Sequence, residues 1–155
     1  MLTPGQKAPE FTLFNSDKKE VSLTDFKGKH VIILFFPMAF TSTCTAELCE
    51  MRDNINTYSD LNAEIVGISV DSPFTLAKFK EDQKLPFDLL SDFNKEVSPA
   101  YGSFYETFVL NLKGVSKRSA FVVDQDGVIQ YAEVLESAGD IPDFQAIQET
   151  LTSLN

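Results

Sequence analysis

The sequence is poor in the residues that mark metal sites and secreted folds. It contains no tryptophan, one histidine and two cysteines in 155 residues. A zinc site needs about four ligands, usually set in close pairs, so we expect no metal and no other cofactor. The two cysteines, Cys44 and Cys49, are too few and too close in sequence to staple a secreted fold of this size. A reducing, cytoplasmic setting fits them better.

Basic residues and long apolar runs are also scarce. The chain has 13 Lys and Arg against 23 Asp and Glu, a formal net charge of −10. Such a surface repels nucleic acid and anionic lipid. No apolar run approaches the ~18 residues of a membrane span, and residues 1–12 lack the basic and apolar stretches of a secretion signal. We therefore expect no nucleic-acid partner and no membrane, but a small uncharged substrate or a protein.

Apolar residues, by contrast, are plentiful. They make up 43% of the chain and include 14 Phe, enough to bury one core, so residues 1–155 are expected to form a single domain. Short unbroken apolar runs are typical of strands covered on both faces. Three such runs are Val31–Phe36, Ile65–Val70 and Ala120–Val123.

Helical periodicity separates the first two of these strands. Apolar side chains recur there at steps of three and four residues, at Leu48, Met51, Ile55 and Tyr58, and Asn62 offers a stop. Further helices are predicted over Pro73–Gln83 and Asp143–Leu154, a strand over 87–91, and a hairpin around Asp126-Gly127. The predicted fold class is α/β, with a mixed sheet flanked by helices.

Cys44 lies where the first strand gives way to this helical pattern. At a helix start, unpaired backbone N–H groups and the positive end of the helix dipole stabilise an anionic sulfur. A thiolate is the reactive form of cysteine, so the position makes Cys44 a candidate nucleophile. The alternative is a core cysteine, because Cys44 falls on the same helical stripe as Leu48 and Met51.

The residues before Cys44 favour its interpretation as a nucleophile over that as a core cysteine. Pro37 has no N–H and must end the strand, and Thr41 offers a hydroxyl three residues before the sulfur. The pattern Pro-x-x-x-Thr-x-x-Cys resembles the active-site motif of the peroxiredoxins, and Glu47 matches a further position in many of them. The resemblance covers nearly the whole chain, including segments 5–11, 66–71 and 118–124. Segments 35–41 and 100–104 resemble the alkyl hydroperoxide reductase E subgroup, whereas Cys44 with Cys49 resembles peroxiredoxin Q, also called bacterioferritin comigratory protein.

This resemblance implies a thioredoxin-like fold and a thiol peroxidase that reduces hydrogen peroxide and organic hydroperoxides. It implies that Thr41 hydrogen-bonds near the sulfur and the bound peroxide, and that Arg118 approaches the thiolate. A thioredoxin-like or glutaredoxin-like protein would restore the thiol. The reductase E pattern suggests a homodimer and the peroxiredoxin Q pattern a monomer; we favour the homodimer.

The implied roles of Arg118 and Glu47 each have a plainer alternative. A guanidinium stays charged, stabilises a thiolate and donates to the oxygen that gains charge as the O–O bond breaks. From sequence alone, however, Arg118 is a solvated residue beside Lys117. Glu47 can equally be a first-turn carboxylate that complements the helix dipole, so we assign it a supporting role.

Cys49 is the only internal thiol that can resolve a sulfenic acid on Cys44. In an intact helix the two Cα atoms are roughly 8.6 Å apart, and a disulfide tolerates at most about 7 Å. The bridge therefore requires the first turns of the helix to unwind, and the predicted start contains mediocre helix formers, Thr41 to Thr43 and Thr45. The alternative is a one-cysteine peroxidase in which Cys49 is passive.

Two other functions compete with the peroxidase. One is a redox-responsive interaction protein that is switched by oxidation of Cys44. The other, ranked last, is a disulfide oxidoreductase, which usually carries Cys-x-x-Cys. His30 is expected in a surface loop, and Phe40, next to Thr41, in the substrate pocket.

Overall fold

The computed structural model describes residues 2–155 and has the predicted α/β architecture. Its strands are β1 (Thr12–Asn15), β2 (Glu20–Ser22), β3 (His30–Phe35), β4 (Ala63–Ser69), β5 (Asp88–Ser91), β6 (Phe104–Thr107), β7 (Lys113–Ser116), β8 (Ser119–Val123) and β9 (Ile129–Val134). Seven of them form one mixed sheet in the order β2-β1-β5-β4-β3-β8-β9, and β6 pairs with β7 alone. All six residues of β3 are buried, as its unbroken apolar sequence predicts.

Over residues 2–155, five α-helices accompany the strands: α1 (Ser42–Asp53), α2 (Ile55–Asp60), α3 (Pro73–Gln83), α4 (Val97–Ala100) and α5 (Phe144–Leu154). Two 3-10 helices span Leu23–Phe26 and Val109–Asn111. Helix α3 has the predicted bounds. The helical segment after β3 is not continuous, however, because it breaks at Asn54. The Asn54 amide donates to the Glu50 carbonyl at 2.9 Å, and an asparagine that bonds to nearby backbone in this way competes with the helical ladder.

The side chains of β3 alternate between two cores. Ile32 and Leu34 pack in one cluster with residues of α1, α3 and α5, whereas Ile33 and Phe35 pack on the opposite face. His30, the first residue of the strand, is only 2% exposed. The prediction that His30 lies in a surface loop is therefore wrong, because β3 begins one residue earlier than predicted. Among residues 2–155, neither ring nitrogen of His30 has a hydrogen-bond partner.

Pairing within the sheet determines what surrounds the end of β3. Strand β4 runs parallel to it, and β8 runs antiparallel, with Phe35 opposite Ser119. The residue before β8, Arg118, therefore lies beside the chain that leaves β3 for α1. Over the described part of the chain, no helix is both long and apolar enough to cross a membrane.

Candidate active site

Cys44 is the third residue of α1, and its side chain is fully buried. It belongs to the core cluster that contains Leu48 and Met51, as its place on the helical stripe predicts. The sulfur also has a charged partner, so a core position and a charged contact occur together at this residue.

Arg118 provides that partner. Its Nη2 donates to Cys44 Sγ at 3.1 Å and to the carbonyl of Ala138 at 3.1 Å. Its Nη1 donates to Glu47 Oε1 at 2.8 Å. The side chain of Arg118 is 1% exposed, so the interpretation as a solvated arginine is wrong. Antiparallel pairing of β3 with β8 brings this residue to the sulfur across 74 positions of sequence.

Glu47 lies one helical turn after Cys44, and both side chains therefore reach Arg118 from one face of α1. Its side chain is fully buried, and among residues 2–155 its second oxygen, Oε2, has no hydrogen-bond partner. Burial raises the pKa of Glu47 to about 7, although the charge and hydrogen bond of Arg118 lower it. Burial lowers the pKa of Arg118, but Glu47 and Cys44 together hold it above its ordinary value. Glu47 is therefore an ion-pair partner as well as a carboxylate in the first turns of α1.

The loop between β3 and α1 carries Pro37 and Thr41. The Phe36 N–H still donates to the Ile68 carbonyl at 3.0 Å, and Pro37 has no N–H with which to continue the pairing. Thr41 is the N-cap residue of α1, but its side chain makes no capping bond. Its hydroxyl donates to the Met38 carbonyl at 2.9 Å. The hydroxyl proton is thus engaged, while the oxygen lone pairs remain free to accept.

A mainly apolar pocket of about 300 Å³ opens over these residues. Its lining is Pro37, Thr41, Ser42, Thr43, Cys44, Phe108, Val109, Arg118, Ala138 and Gly139. The sequence did not predict Phe108 and Val109, which follow β6; the only local signal is the apolar run Phe108 to Leu110. Phe40 is not part of the lining, contrary to expectation. It is half exposed, and its ring packs edge to face against Phe79, with the ring centroids 5.2 Å apart.

Cys49 lies farther along α1, half-buried, and both cysteines are free thiols. Its sulfur lies 3.5 Å from Oε1 of Gln83, the last residue of α3. One turn later, Arg52 Nη1 donates to the Gln83 carbonyl at 2.6 Å. Cys49 is therefore directed at α3 rather than at Cys44. Within the described residues, no three His, Cys, Asp or Glu side chains group as metal ligands.

Comparison with known proteins assigns the family. A profile of the AhpC/TSA family matches residues 4–132. A putative peroxiredoxin of Mycobacterium tuberculosis is 46% identical over 134 residues, which cover 85% of either chain. Peroxiredoxin Bcp of Escherichia coli is 37% identical over 131 residues, which cover 84% of either chain. The chain belongs to the AhpC/TSA family, the peroxiredoxins.

The solved structures agree with this assignment. The crystal structure of peroxidoxin BcpB from Mycobacterium tuberculosis superposes with a TM-score of 0.89 at 27% identity, covering 100% of this chain and 99% of that one. The fold is therefore the thioredoxin-like arrangement that the sequence motif implied. The chain is a thiol-dependent peroxidase, as its family membership indicates, and the relatives named Bcp support the peroxiredoxin Q side of its mixed resemblance.

Proposed function

We propose that this peroxiredoxin reduces hydrogen peroxide and organic hydroperoxides with Cys44 as the nucleophile. The observation that carries the proposal is the 3.1 Å contact between Arg118 Nη2 and Cys44 Sγ at the base of a pocket. A guanidinium in this position stabilises the thiolate and meets the charge that develops on the leaving oxygen. The largely apolar walls of the pocket suit the organic part of an alkyl hydroperoxide.

In the first step the thiolate sulfur attacks one peroxide oxygen. An S–O bond forms as the O–O bond breaks, so sulfur loses two electrons and the leaving oxygen departs, after protonation, as water or an alcohol. Thr41 contributes its oxygen lone pairs, which accept from the peroxide O–H because its own proton is donated to Met38. Pro37 ends the sheet pairing and shapes the wall of the pocket. Glu47 supports the site by orienting Arg118.

Cys49 resolves the sulfenic acid in the second step. Its thiol condenses with Cys44–SOH to form a disulfide and release one water. Both cysteines lie in the continuous helix α1, where their Cα atoms are roughly 8.6 Å apart. Part of α1 must therefore open before the sulfurs meet. The competing mechanism is a one-cysteine peroxidase, in which an external thiol attacks Cys44 directly and α1 stays closed.

A dithiol protein of the thioredoxin or glutaredoxin type reduces the bridge, becoming a disulfide itself as two thiols return to this chain. Such a cycle requires a reducing compartment, which we take to be the cytoplasm. Residues 1–155 act as one domain, since both apolar clusters flank the same sheet. We therefore expect a single cooperative unfolding transition followed by both circular dichroism and tyrosine fluorescence.

The proposed assembly is a homodimer. Phe14, Phe74 and Phe93 are at least half exposed and line one apolar groove of about 330 Å³. Clusters of exposed aromatic rings are rare on monomers and mark association surfaces.

Sedimentation equilibrium of wild type, Phe74→Ser and Leu110→Ser tests this assembly. We expect only Phe74→Ser to weaken the dimer, because Leu110 is exposed elsewhere; a monomeric wild type at micromolar concentration contradicts it.

The chemistry is tested with wild type, Cys44→Ser and Cys49→Ser. Each is mixed with hydrogen peroxide and with an alkyl hydroperoxide, and the rate and intact mass are recorded. We expect Cys44→Ser to lose the reaction and Cys49→Ser to keep the first step but to accumulate oxygen on Cys44. Wild type should lose about two mass units as the bridge forms. Unchanged reactivity of Cys44→Ser rejects the proposal, and oxidation without turnover favours the redox-responsive interaction protein.

A further inference from the structure

One peptide unit between β3 and α1 is hydrogen-bonded on both sides. The Ala39 N–H donates to Asp71 Oδ2 at 2.8 Å. The carbonyl of the same unit, which belongs to Met38, accepts the Thr41 hydroxyl at 2.9 Å. A continuous chain of hydrogen bonds therefore runs from the Asp71 carboxylate, through the Met38–Ala39 peptide, to the hydroxyl of Thr41.

Asp71 is itself held by the ends of two adjacent strands, β4, which lies next to β3, and β5, which lies beyond β4. It follows the end of β4, where the hydroxyl of Ser69 donates to the same Oδ2 at 2.7 Å. From the end of β5, the hydroxyl of Ser91 donates to the Asp71 carbonyl at 2.6 Å. Both serines are buried. The carboxylate is thus fixed in the sheet and not free to follow the loop.

The loop needs such an anchor. Phe40, between the peptide unit and Thr41, has a φ of 69°, in the left-handed region that is unfavourable for a residue with a Cβ. A turn containing such a residue persists only when its surroundings hold it. The hydrogen bond from Ala39 to Asp71 and the edge-to-face contact of Phe40 with Phe79, at 5.2 Å between centroids, supply that restraint.

We propose that Asp71 is a positioning residue for the peroxide step, acting through the Met38–Ala39 peptide on the hydroxyl of Thr41. The carboxylate polarises the peptide and strengthens the Met38 carbonyl as an acceptor, because linked hydrogen bonds reinforce one another. The Thr41 proton stays directed at Met38, and its lone pairs stay directed at the pocket. The inference rests on the proposed function, in which those lone pairs accept from the peroxide.

The first test compares Asp71→Ala, Asp71→Asn and Asp124→Ala in single-turnover oxidation of Cys44. Asp124 is the matched control, because it accepts from the backbone N–H groups of Asp126 and Val128 in the turn at the far end of β8. We expect Asp71→Ala to lower the oxidation rate constant about tenfold, the effect of losing a charge-assisted bond. Asp71→Asn keeps an acceptor for Ala39 and should stay within about threefold of wild type, and Asp124→Ala within about twofold.

Three results would overturn the inference: wild-type oxidation in Asp71→Ala, equal losses in Asp71→Asn and Asp71→Ala, or an equal loss in Asp124→Ala. The rate of bridge formation after oxidation should be unchanged in all of these variants. Circular dichroism checks folding. If Asp71→Ala does not fold, Asp71→Ser replaces it. The serine side chain is too short to reach Ala39, so we expect the same loss in the oxidation rate constant.

A double-mutant cycle with Thr41→Val tests the route. Without a hydroxyl to orient, Asp71→Ala should slow oxidation of Thr41→Val by no more than about twofold. If the double variant slows oxidation by the product of the two single-variant factors, Asp71 does not act through Thr41 and the inference is overturned. If the wild-type protein does not react with peroxide at Cys44, the proposed function is wrong. If the wild type reacts normally and Asp71→Ala reacts at the same rate, only the role of Asp71 is wrong.

Discussion

The two cysteines of α1 lie in contrasting environments. Near its start, Cys44 is fully buried and contacts the guanidinium of Arg118 at 3.1 Å. Farther along, Cys49 is half-buried and contacts the neutral amide of Gln83, at 3.5 Å. The first thiol thus has a fixed charge beside it and a pocket above it. Among residues 2–155, the sulfur of the second makes one hydrogen bond, this long one to Gln83, and the charge of Arg52 lies one turn farther along α1. A weakly held thiol suits the resolving role proposed for Cys49.

This contrast divides the proposed catalytic cycle into a step that needs a rigid site and a step that needs the helix to move. The peroxide step needs fixed donors, because preorganised dipoles stabilise a transition state without rearranging. The proposed resolving step needs α1 to open, because an intact helix keeps the Cα atoms about 1.6 Å beyond the roughly 7 Å limit of a disulfide. A change near Cys44 should therefore alter the first step, and a change near Cys49 the second.

The largest expected effect follows from removing Arg118. Arg118→Met should slow oxidation of Cys44 by about 10²–10³-fold, the loss seen when a preorganised transition-state donor is removed. Stopped-flow oxidation with hydrogen peroxide measures it. The matched control is the neighbouring Lys117→Met, which removes an ion pair with the exposed Glu136 and should change the rate by less than about threefold.

Arg118→Met also leaves Glu47 buried without its partner, which by itself destabilises the fold. The double variant Arg118→Met/Glu47→Gln removes that charge. It should therefore recover thermal stability while the slow oxidation remains. If oxidation recovers along with stability, Arg118 acts only as a structural residue and the contrast between the two cysteines loses its electrostatic basis.

Glu47 gives a prediction about pH. In the folded chain burial raises the pKa of Glu47 to about 7 from its ordinary value of 4.5. The folded state therefore binds this proton more tightly than the unfolded state. Its contribution to stability is fully present below pH 4.5 and is lost as the pH rises through about 7.

The measurement compares Cys44→Ser with Cys44→Ser/Glu47→Gln by denaturant unfolding between about pH 4 and pH 8, so that the two variants differ only at position 47 and neither carries the reactive thiol. Relative to the double variant, Cys44→Ser should lose on the order of 2 kcal/mol as the pH rises from 4.5 to 7. The difference should level off once the pH exceeds the folded pKa. Parallel curves across this range would mean that Glu47 is already ionised at the acidic end.

The start of α1 could be predicted from the sequence more fully than its surroundings, for a physical reason. Pro37, Thr41 and Cys44 lie within eight positions, so their spacing alone expresses the strand end and the helix start. Arg118 is 74 positions from Cys44, and only the pairing of β8 with β3 brings it near. Without the family resemblance, nothing local separates it from its neighbour Lys117.

Other features could not be predicted from the sequence, because tertiary packing determines them. The helix dipole does not account for the complete burial of Glu47 beside Arg118, since that burial depends on where β8 begins. The burial of His30 depends on a strand that starts one residue earlier than its apolar run. Phe108 reaches the pocket from the segment between β6 and β7, a pair that stands outside the main sheet, and no periodicity marks it.

The smallest expected effect concerns the Cys49 end of α1. Arg52 Nη1 donates to the Gln83 carbonyl at 2.6 Å and ties this part of the helix to the end of α3. Opening of α1 that extends from its first turns to Arg52 breaks that bond, whereas attack on peroxide leaves it intact. Arg52→Ala should therefore speed formation of the Cys44–Cys49 bridge about fivefold, the equivalent of one hydrogen bond of ~1 kcal/mol, and leave oxidation of Cys44 unchanged.

Quenched-flow alkylation with intact mass separates the two steps, because the sulfenic acid and the bridged form differ in mass. The control is Lys78→Ala on α3, which removes an exposed ion pair with Asp82 and should alter neither step. Faster bridging should also reduce the fraction of Cys44 that a second peroxide converts to sulfinic acid, because the sulfenic acid is shorter-lived. Unchanged bridging in Arg52→Ala would mean that the helix opens only at its first turn, with the Cys49 end remaining attached to α3.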